Sequence, residues 1–173
     1  LVSGFFGGLA AVPDGGLPTV GPAEKVDGLP WAVTVDDVVL TPELPPALLS
    51  DDDNHFLVVV AVVEATAGES RADLDDILRV EGVTGVDPHA EPDAVVVIRD
   101  ATLAQSVHPG LPERLAFFWE RGGADDVPAE ATVVVYGKTH RESSLTGTME
   151  WLDREPRARV TAPVRDRRDA DGG

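Results

Sequence analysis

Ser106 and His108 are the serine and histidine that lie closest together in the sequence, and these two residue types can act as a nucleophile and its base. Two residues apart, their side chains share a face if the chain is extended there, and Asp100 is a candidate third member. No serine lies in the G-x-S-x-G sequence of the α/β-hydrolases. A polar loop explains the pair without catalysis, and we favour that interpretation. A second histidine close to serines is interpreted in the same way: His140 with Ser143 and Ser144.

The residue types that bind metals do not fall at metal-binding spacings. There is no cysteine, which excludes disulfides and thiolate zinc sites. The run Asp51–Asn54 suggests calcium, but an EF-hand loop starting at Asp51 would need glycine at Phe56 and glutamate at Val62. We therefore predict a solvated loop ahead of a strand. The four histidines are scattered and form no H-E-x-x-H motif: His55, His89, His108 and His140.

The spacing of the other acidic residues in the sequence assigns them no catalytic or ligand-binding role. Asp73, Asp75 and Asp76 either start a helix, where carboxylates favour the free N–H groups, or lie on the surface. A pair of carboxylates for sugar hydrolysis is defined by distance in space, and 31 acidic residues make chance pairs common. No glycine-rich loop is placed to hold phosphate. The sequence thus predicts no catalytic, cofactor-binding or metal-binding residues, no cofactor and no enzymatic activity.

The charge balance narrows the choice of partners. The chain has 173 residues, 31 of them acidic and 14 basic, for a net charge of -17. Such a field repels phosphate backbones, so nucleic acid is an improbable partner, and it repels anionic membrane surfaces in the same way. Lysine occurs only at Lys25 and Lys138. This preference for arginine over lysine is typical of a high-GC genome such as an actinobacterial one, and a halophilic origin is the alternative.

Three regions are predicted along the chain. Residues 1–29 begin with an uncharged apolar stretch and continue as a segment rich in proline and glycine. The stretch is shorter than the roughly 20 residues of a membrane span. We interpret it as the end of an anchor or signal peptide followed by a linker, and an ordinary flexible terminus is the alternative. Residues 30–164 are expected to form the folded domain, and residues 165–173 a disordered tail.

Alternation of apolar and polar residues predicts about seven strands in an antiparallel, immunoglobulin-like β-sandwich. A bulge near Asp36-Asp37 would bring Val35 and Val38 to one face. Residues 71–80 are either partly helical or a turn that leads into a strand. The expected strands include residues 31–40, 55–66, 94–98, 113–120, 131–139, 145–152 and 157–164.

The predicted core follows the same alternation. The strand at 55–66 is apolar on both faces and is expected to be central. Trp151 lies near a loop, where it could mark a binding surface, but a core position is favoured. Two further sets are expected to point inward. The first, which is expected to be buried, is Phe56, Val58, Val60 and Val62 with Leu115, Phe117 and Trp119; the second is Leu145, Met149 and Trp151.

Three segments give the chain a family resemblance. They are residues 31–35 (WAVTV), residues 54–65 (NHFLVVVAVVEA) and residues 108–120 (HPGLPERLAFFWE). Together they resemble uncharacterised actinobacterial membrane-anchored proteins with an extracytoplasmic immunoglobulin-like domain. The resemblance spans residues 30–164 and includes no functional residue, so it implies fold and location only.

The expected function is therefore that of a non-catalytic binding or scaffold domain in a membrane-anchored protein of the cell envelope. Its partner would be another envelope or membrane protein, and it would meet the membrane only through an anchor ahead of Leu1. Two alternatives stay open. One is a sensor domain of a transport or signalling membrane protein, and the other is an envelope hydrolase with a carboxylate site.

Overall fold

The computed structural model describes residues 16–122 and 126–168, which form ten β-strands and a short 3₁₀ turn at Leu74–Asp76. The all-β sandwich expected from the sequence is confirmed, with more strands than the seven predicted. The strands are β1 (Thr19–Val20), β2 (Lys25–Val26), β3 (Trp31–Thr41), β4 (His55–Ala65), β5 (Leu78–Glu81), β6 (Ala94–Val97), β7 (Thr102–Leu103), β8 (Glu113–Arg121), β9 (Glu130–Glu142) and β10 (Met149–Asp166).

The strands are arranged in two layers that share β10. The first layer has the order β5-β9-β10, with β1 beside β10; the second has the order β7-β6-β8-β4-β3, with β2 beside β3. β10 pairs with β9 along most of its length, and its last residues, Val164–Asp166, pair with β3. All pairings are antiparallel except β1–β10 and β10–β3. Side chains from both layers form one large buried cluster between them.

The predicted bulge in β3 is confirmed. Val35 is opposite Ala61 and Asp37 is opposite Val60, so Asp36 is the extra residue. One extra residue shifts the side-chain alternation by one position. As a result Val35 and Val38, which have opposite parity in the sequence, are both buried in the same core.

β4 is central, as predicted, but its core-facing side was assigned wrongly. It lies between β3 and β8, and the fully buried side chains are those of Leu57, Val59, Ala61 and Val63. The opposite face is the outer one, where Phe56 and Val58 are buried, as predicted, but in a second, smaller cluster. Val60 and Val62 on that face are only half-buried. In β8, the predicted burial of Leu115, Phe117 and Trp119 is confirmed.

β10 replaces two of the predicted strands with one strand of 18 residues. It runs through Pro156, where the pairing register shifts between Pro156 and Ala158. A register shift tolerates proline because it leaves a residue without a ladder hydrogen bond. The inward orientation predicted for Leu145 and Met149 is wrong, because the two are 95% and 57% exposed.

The domain extends beyond its predicted boundaries. β1 and β2 lie in the predicted linker, and β10 continues to Asp166 in the predicted tail, where Arg165 pairs with Asp37. Residues 71–80 form a 3₁₀ turn that leads into β5, the second of the two predicted alternatives. The apolar start and residues 169–173 lie outside the described residues. Within those residues no helix is long and apolar enough to cross a membrane.

Candidate functional site

The β9–β10 hairpin extends beyond the sandwich. β5 pairs with β9 only as far as Val135, and β1 pairs with β10 at Arg159 and Val160. Residues 139–142 and 149–152 therefore pair with no strand but each other within the described chain. We call residues 139–152 the arm. Both of its outer edges expose backbone groups that lack a strand partner, the usual template for pairing with another chain.

The tip of the arm is a tight polar turn with two exposed apolar side chains. The amide of Ser143 donates to the carbonyl of Thr148 at 2.8 Å, and Gly147, with φ +69°, donates to the carbonyl of Ser143. Leu145 is 95% exposed and Met149 57% exposed. A two-stranded hairpin is only marginally stable in water. Exposed apolar side chains add nothing to its stability until a partner buries them.

An aromatic stack joins the two strands at the base of the arm. His140 and Trp151 are directly opposite each other, with ring centroids 4.6 Å apart and an interplanar angle of 28°. The indole N–H of Trp151 donates to Glu69 at 3.0 Å. Arg141 pairs across the strands with Asp153. Trp151 is thus half-buried at the base of the arm, neither fully in the core nor fully exposed on the surface.

Ion pairs attach the base of the arm to the loop before β5. The Lys138 ammonium lies 2.6 Å from Asp73 and 2.5 Å from Asp76, and Arg71 lies 2.6 Å from Asp73. Burial alone raises the pKa of Asp73, but hydrogen bonds from Arg71 and Lys138 outweigh it and lower the pKa. Asp76 belongs to a 3₁₀ turn and not to an α-helix, and Asp73 and Asp76 both pair with Lys138, the residue before the arm.

Replacing Asp73 with asparagine should cost stability in a pH-dependent way. The pKa of this carboxyl is below its ordinary 3.8 in the folded protein, so its ionised form stabilises the fold above about pH 3.8. That contribution is lost as the pH falls through the lower folded value. We expect Asp73→Asn to lower the free energy of unfolding by about 2 kcal/mol at neutral pH. Urea unfolding should show this difference shrinking in acid.

Asp27→Asn is the matched control for that experiment. Asp27 is 83% exposed and its one ion pair, with Lys25, is a surface pair of little expected energy. The control should unfold like the wild type at every pH. A loss for Asp73→Asn that stays the same between neutral and acidic pH would contradict the proposed ionisation of Asp73.

A groove of ≈ 620 Å³ runs along the base of the arm, between it and the β2–β3 connection. The Arg157 side chain lies across Gly137, where a Cβ would come within 2.7 Å of its Nε. That Nε is buried and has no hydrogen-bond partner in the described residues. Any side chain at Gly137 would therefore displace Arg157. The groove is lined by Asp27, Gly28, Leu29, Lys138, Thr139, His140, Trp151 and Arg157.

Ser106 and His108 are neighbours in space, but the arrangement is not that of a catalytic triad. Ser106 Oγ lies 3.3 Å from His108 Nε2, and Ser70 Oγ lies 2.7 Å from Nδ1. The position that a triad gives to a carboxylate is thus taken by a second serine. Asp100 instead accepts a hydrogen bond from Thr102 and pairs with Arg99.

The other histidine–serine group is also separated by its contacts. His140 stacks on Trp151, whereas the Ser143 hydroxyl accepts from the amide of Leu145 in the turn. No hydrogen bond joins His140 to Ser143 among the described residues.

The Asp51–Asn54 run forms the turn that precedes β4. Asp51 accepts from the amides of Asp53 and Asn54, and the Asn54 amide group donates to Glu120 at 2.7 Å. These contacts cap the turn and bind it to β8. In residues 16–122 and 126–168, no three histidine, aspartate or glutamate side chains are grouped closely enough to hold a metal ion.

The exposed residues of the arm tip were missed because their types resemble those of core residues. Leu145 and Met149 are spaced like inward residues of a strand, and the sequence was interpreted in that way. The run of serine, threonine and glycine around them, residues 143–148, is a turn signal. It separates Leu145 from any strand and would have placed it at a loop tip.

The comparisons with known proteins bear on the fold. No family model matches the chain, and no curated protein sequence matches it. An uncharacterized β-sandwich protein from Clostridium difficile 630 has a similar structure, with a TM-score of 0.51 and 10% sequence identity. The match covers 89% of this chain and 98% of that one. At such low identity the likeness concerns the β-sandwich alone.

Proposed function

We propose that this domain is a non-catalytic binding or scaffold module that works outside the cytoplasm in a membrane-anchored protein. It contacts another envelope or membrane protein through the arm. The observation that carries this proposal is a hairpin that extends beyond the sandwich and ends in exposed Leu145 and Met149. The partner covers these side chains and supplies the burial that the arm lacks.

The base of the arm supports a role in binding because it is held rigidly. Lys138, the Trp151 indole and their carboxylate partners connect the arm to the loop before β5. A binding element that is ordered before it meets its partner loses less conformational entropy on binding. The arm thus combines a base that is attached to the domain with a tip whose apolar side chains are exposed, as a docking element requires.

The contacts of the serine–histidine pair favour binding over hydrolysis. His108 has serine hydroxyls at both ring nitrogens, so no carboxylate fixes its tautomer or stabilises an imidazolium. The extracytoplasmic location is supported by the sequence, through its apolar start and the segment rich in proline and glycine. It is also what the resemblance to membrane-anchored proteins implies.

Photo-crosslinking tests this proposal. A photoreactive amino acid placed at Leu145 of the full-length protein, in cells that produce it, should give one discrete adduct with an envelope or membrane protein. The matched control is Leu111, which is 64% exposed and lies near the serine–histidine pair. It should give no adduct.

Two results would overturn the proposal. Equal adducts at Leu145 and Leu111 would show that the arm has no special role. A partner that resides in the cytosol would show that the location is wrong.

A further inference from the structure

The outer face of the second layer has an apolar groove far from the arm. Its floor is formed by Phe56 and Phe118, whose rings pack edge to face with centroids 5.2 Å apart. Leu48, in the loop between β3 and β4, and Leu103, in β7, form its walls. The cavity has a volume of ≈ 340 Å³. It adjoins a depression of ≈ 520 Å³ along residues 42–49, and we call the two together the outer groove.

The walls of the outer groove are exposed to solvent. Leu48 is 90% exposed and Leu103 is 53% exposed, although both lie beside the buried aromatic floor. A lone apolar residue on a surface is ordinary, but two large ones on an apolar groove form a patch of the kind that marks binding sites. The smaller cluster beneath the groove is already packed, so further burial here requires another molecule.

The charged side chains of the outer groove are all acidic. Glu43 and Asp52 line the depression, Asp93 and Glu120 line the cavity, and neither has a lysine or arginine among its described lining residues. Glu120 accepts hydrogen bonds from Asn54 and Ser50, which lower its pKa. Glu120 therefore stays ionised at a lower pH than an ordinary glutamate does.

We propose that the outer groove binds a segment of a partner protein that presents a large apolar side chain flanked by lysine or arginine. The apolar side chain covers the phenylalanine floor between Leu48 and Leu103, and the cations face the carboxylates at the rim. A second copy of this chain fits poorly, because at a net charge of -17 it brings like charges together. This interaction is separate from that of the arm.

A synthetic peptide with leucine and tryptophan between two runs of lysine is a suitable probe. Fluorescence anisotropy with the isolated domain should detect binding that weakens as salt is added. A peptide with glutamate in place of lysine should not bind. A third peptide, with serine in place of the apolar residues, should bind at least tenfold more weakly, because charge alone does not fill the groove.

Protein variants locate the binding. The double variant Leu48→Ser with Leu103→Ser should weaken binding at least tenfold, and Glu43→Gln with Asp52→Asn should weaken it several-fold. All four side chains are exposed, so folding should persist. The arm-tip variant Leu145→Ser is the matched control and should bind like the wild type.

Three results would overturn the inference. The first is equal peptide binding by all variants, which indicates a diffuse attraction to an acidic protein. The second is the absence of binding. The third is a dimer of the wild type, detected by sedimentation, that the Leu48 and Leu103 substitutions dissociate, which would make a second copy the occupant.

Discussion

Replacing Val59 with aspartate is expected to abolish folding, whereas the same substitution at Val60 leaves the domain folded. Val59 is completely buried, between Val38 and Phe117 on the neighbouring strands. An unpaired buried charge costs several kcal/mol, comparable to the total stability of a domain. Val60 points to the outer face, is half-buried, and lines a depression that also contains Arg167.

The two variants are matched in chemistry and differ in sequence by one position. Val60→Asp should be soluble and cooperatively folded, with stability reduced by about 1–2 kcal/mol. Val59→Asp should be insoluble or lack a thermal transition in circular dichroism. If the behaviours were exchanged, the core would lie on the face that the sequence first suggested, and the assignment of the inner layer would be wrong.

Replacing Arg79 with methionine should produce a large loss of stability, because this arginine is buried. Its side chain is 1% exposed, yet it donates to the carbonyls of Asp75 and Leu78, at 2.5 and 2.7 Å, and of His89 at 3.2 Å. It also pairs with Glu91 at 3.1 Å. Methionine fills a similar volume but leaves these acceptors without a donor. We expect the free energy of unfolding to fall by about 3–5 kcal/mol.

Urea unfolding of two further variants controls for this effect. Arg114 is exposed and its hydrogen bond, at 3.1 Å, is to Asp36, so Arg114→Met should change stability by less than about 1 kcal/mol. Arg79→Lys keeps the charge but cannot reach several carbonyls at once, and it should be nearly as unstable as Arg79→Met. A loss below about 1 kcal/mol for Arg79→Met would refute a structural role for this arginine.

The sequence predicted those features that depend on alternation. The bulge at Asp36 followed from a change of parity between Val35 and Val38, because side chains in a strand alternate between its faces. The central position of β4 followed from its having apolar residues on both faces. That same property made the inner face of β4 ambiguous. When the residues on both faces of a strand are apolar, their alternation does not show which face points to the core.

Other features depend on contacts between distant parts of the chain. Lys138 and Asp73 form an ion pair although they are 65 positions apart in the sequence, and no local sequence pattern predicts such a pair. Arg79 was unremarkable in sequence because arginine is usually exposed. The arm was not recognised for a different reason: Leu145 and Met149 have the spacing of inward residues of a strand, although both are exposed.

The outer groove also arises from residues far apart in the chain. Leu48 lies in the connection between β3 and β4, whereas Leu103 lies in β7, and each alone is an ordinary exposed leucine. Only the pairing of β6 with β8 and of β8 with β4 brings their segments to one face, over Phe56 and Phe118. Sequence patterns therefore gave the strands but not the surfaces on which the proposed interactions depend.

Oxidation of Met149 measures whether a partner covers the arm, because Met149 is the only methionine in the chain and lies at the tip of the arm. Hydrogen peroxide converts exposed methionine to its sulfoxide, and a partner that covers the residue slows this reaction. Leu111→Met supplies a reference methionine at an exposed position away from the arm. Mass spectrometry gives the oxidation rate of Met149 divided by that of the reference methionine. This ratio should be lower for the full-length protein in its cells than for the isolated protein. An unchanged ratio would show that nothing covers the arm and would contradict the proposed function.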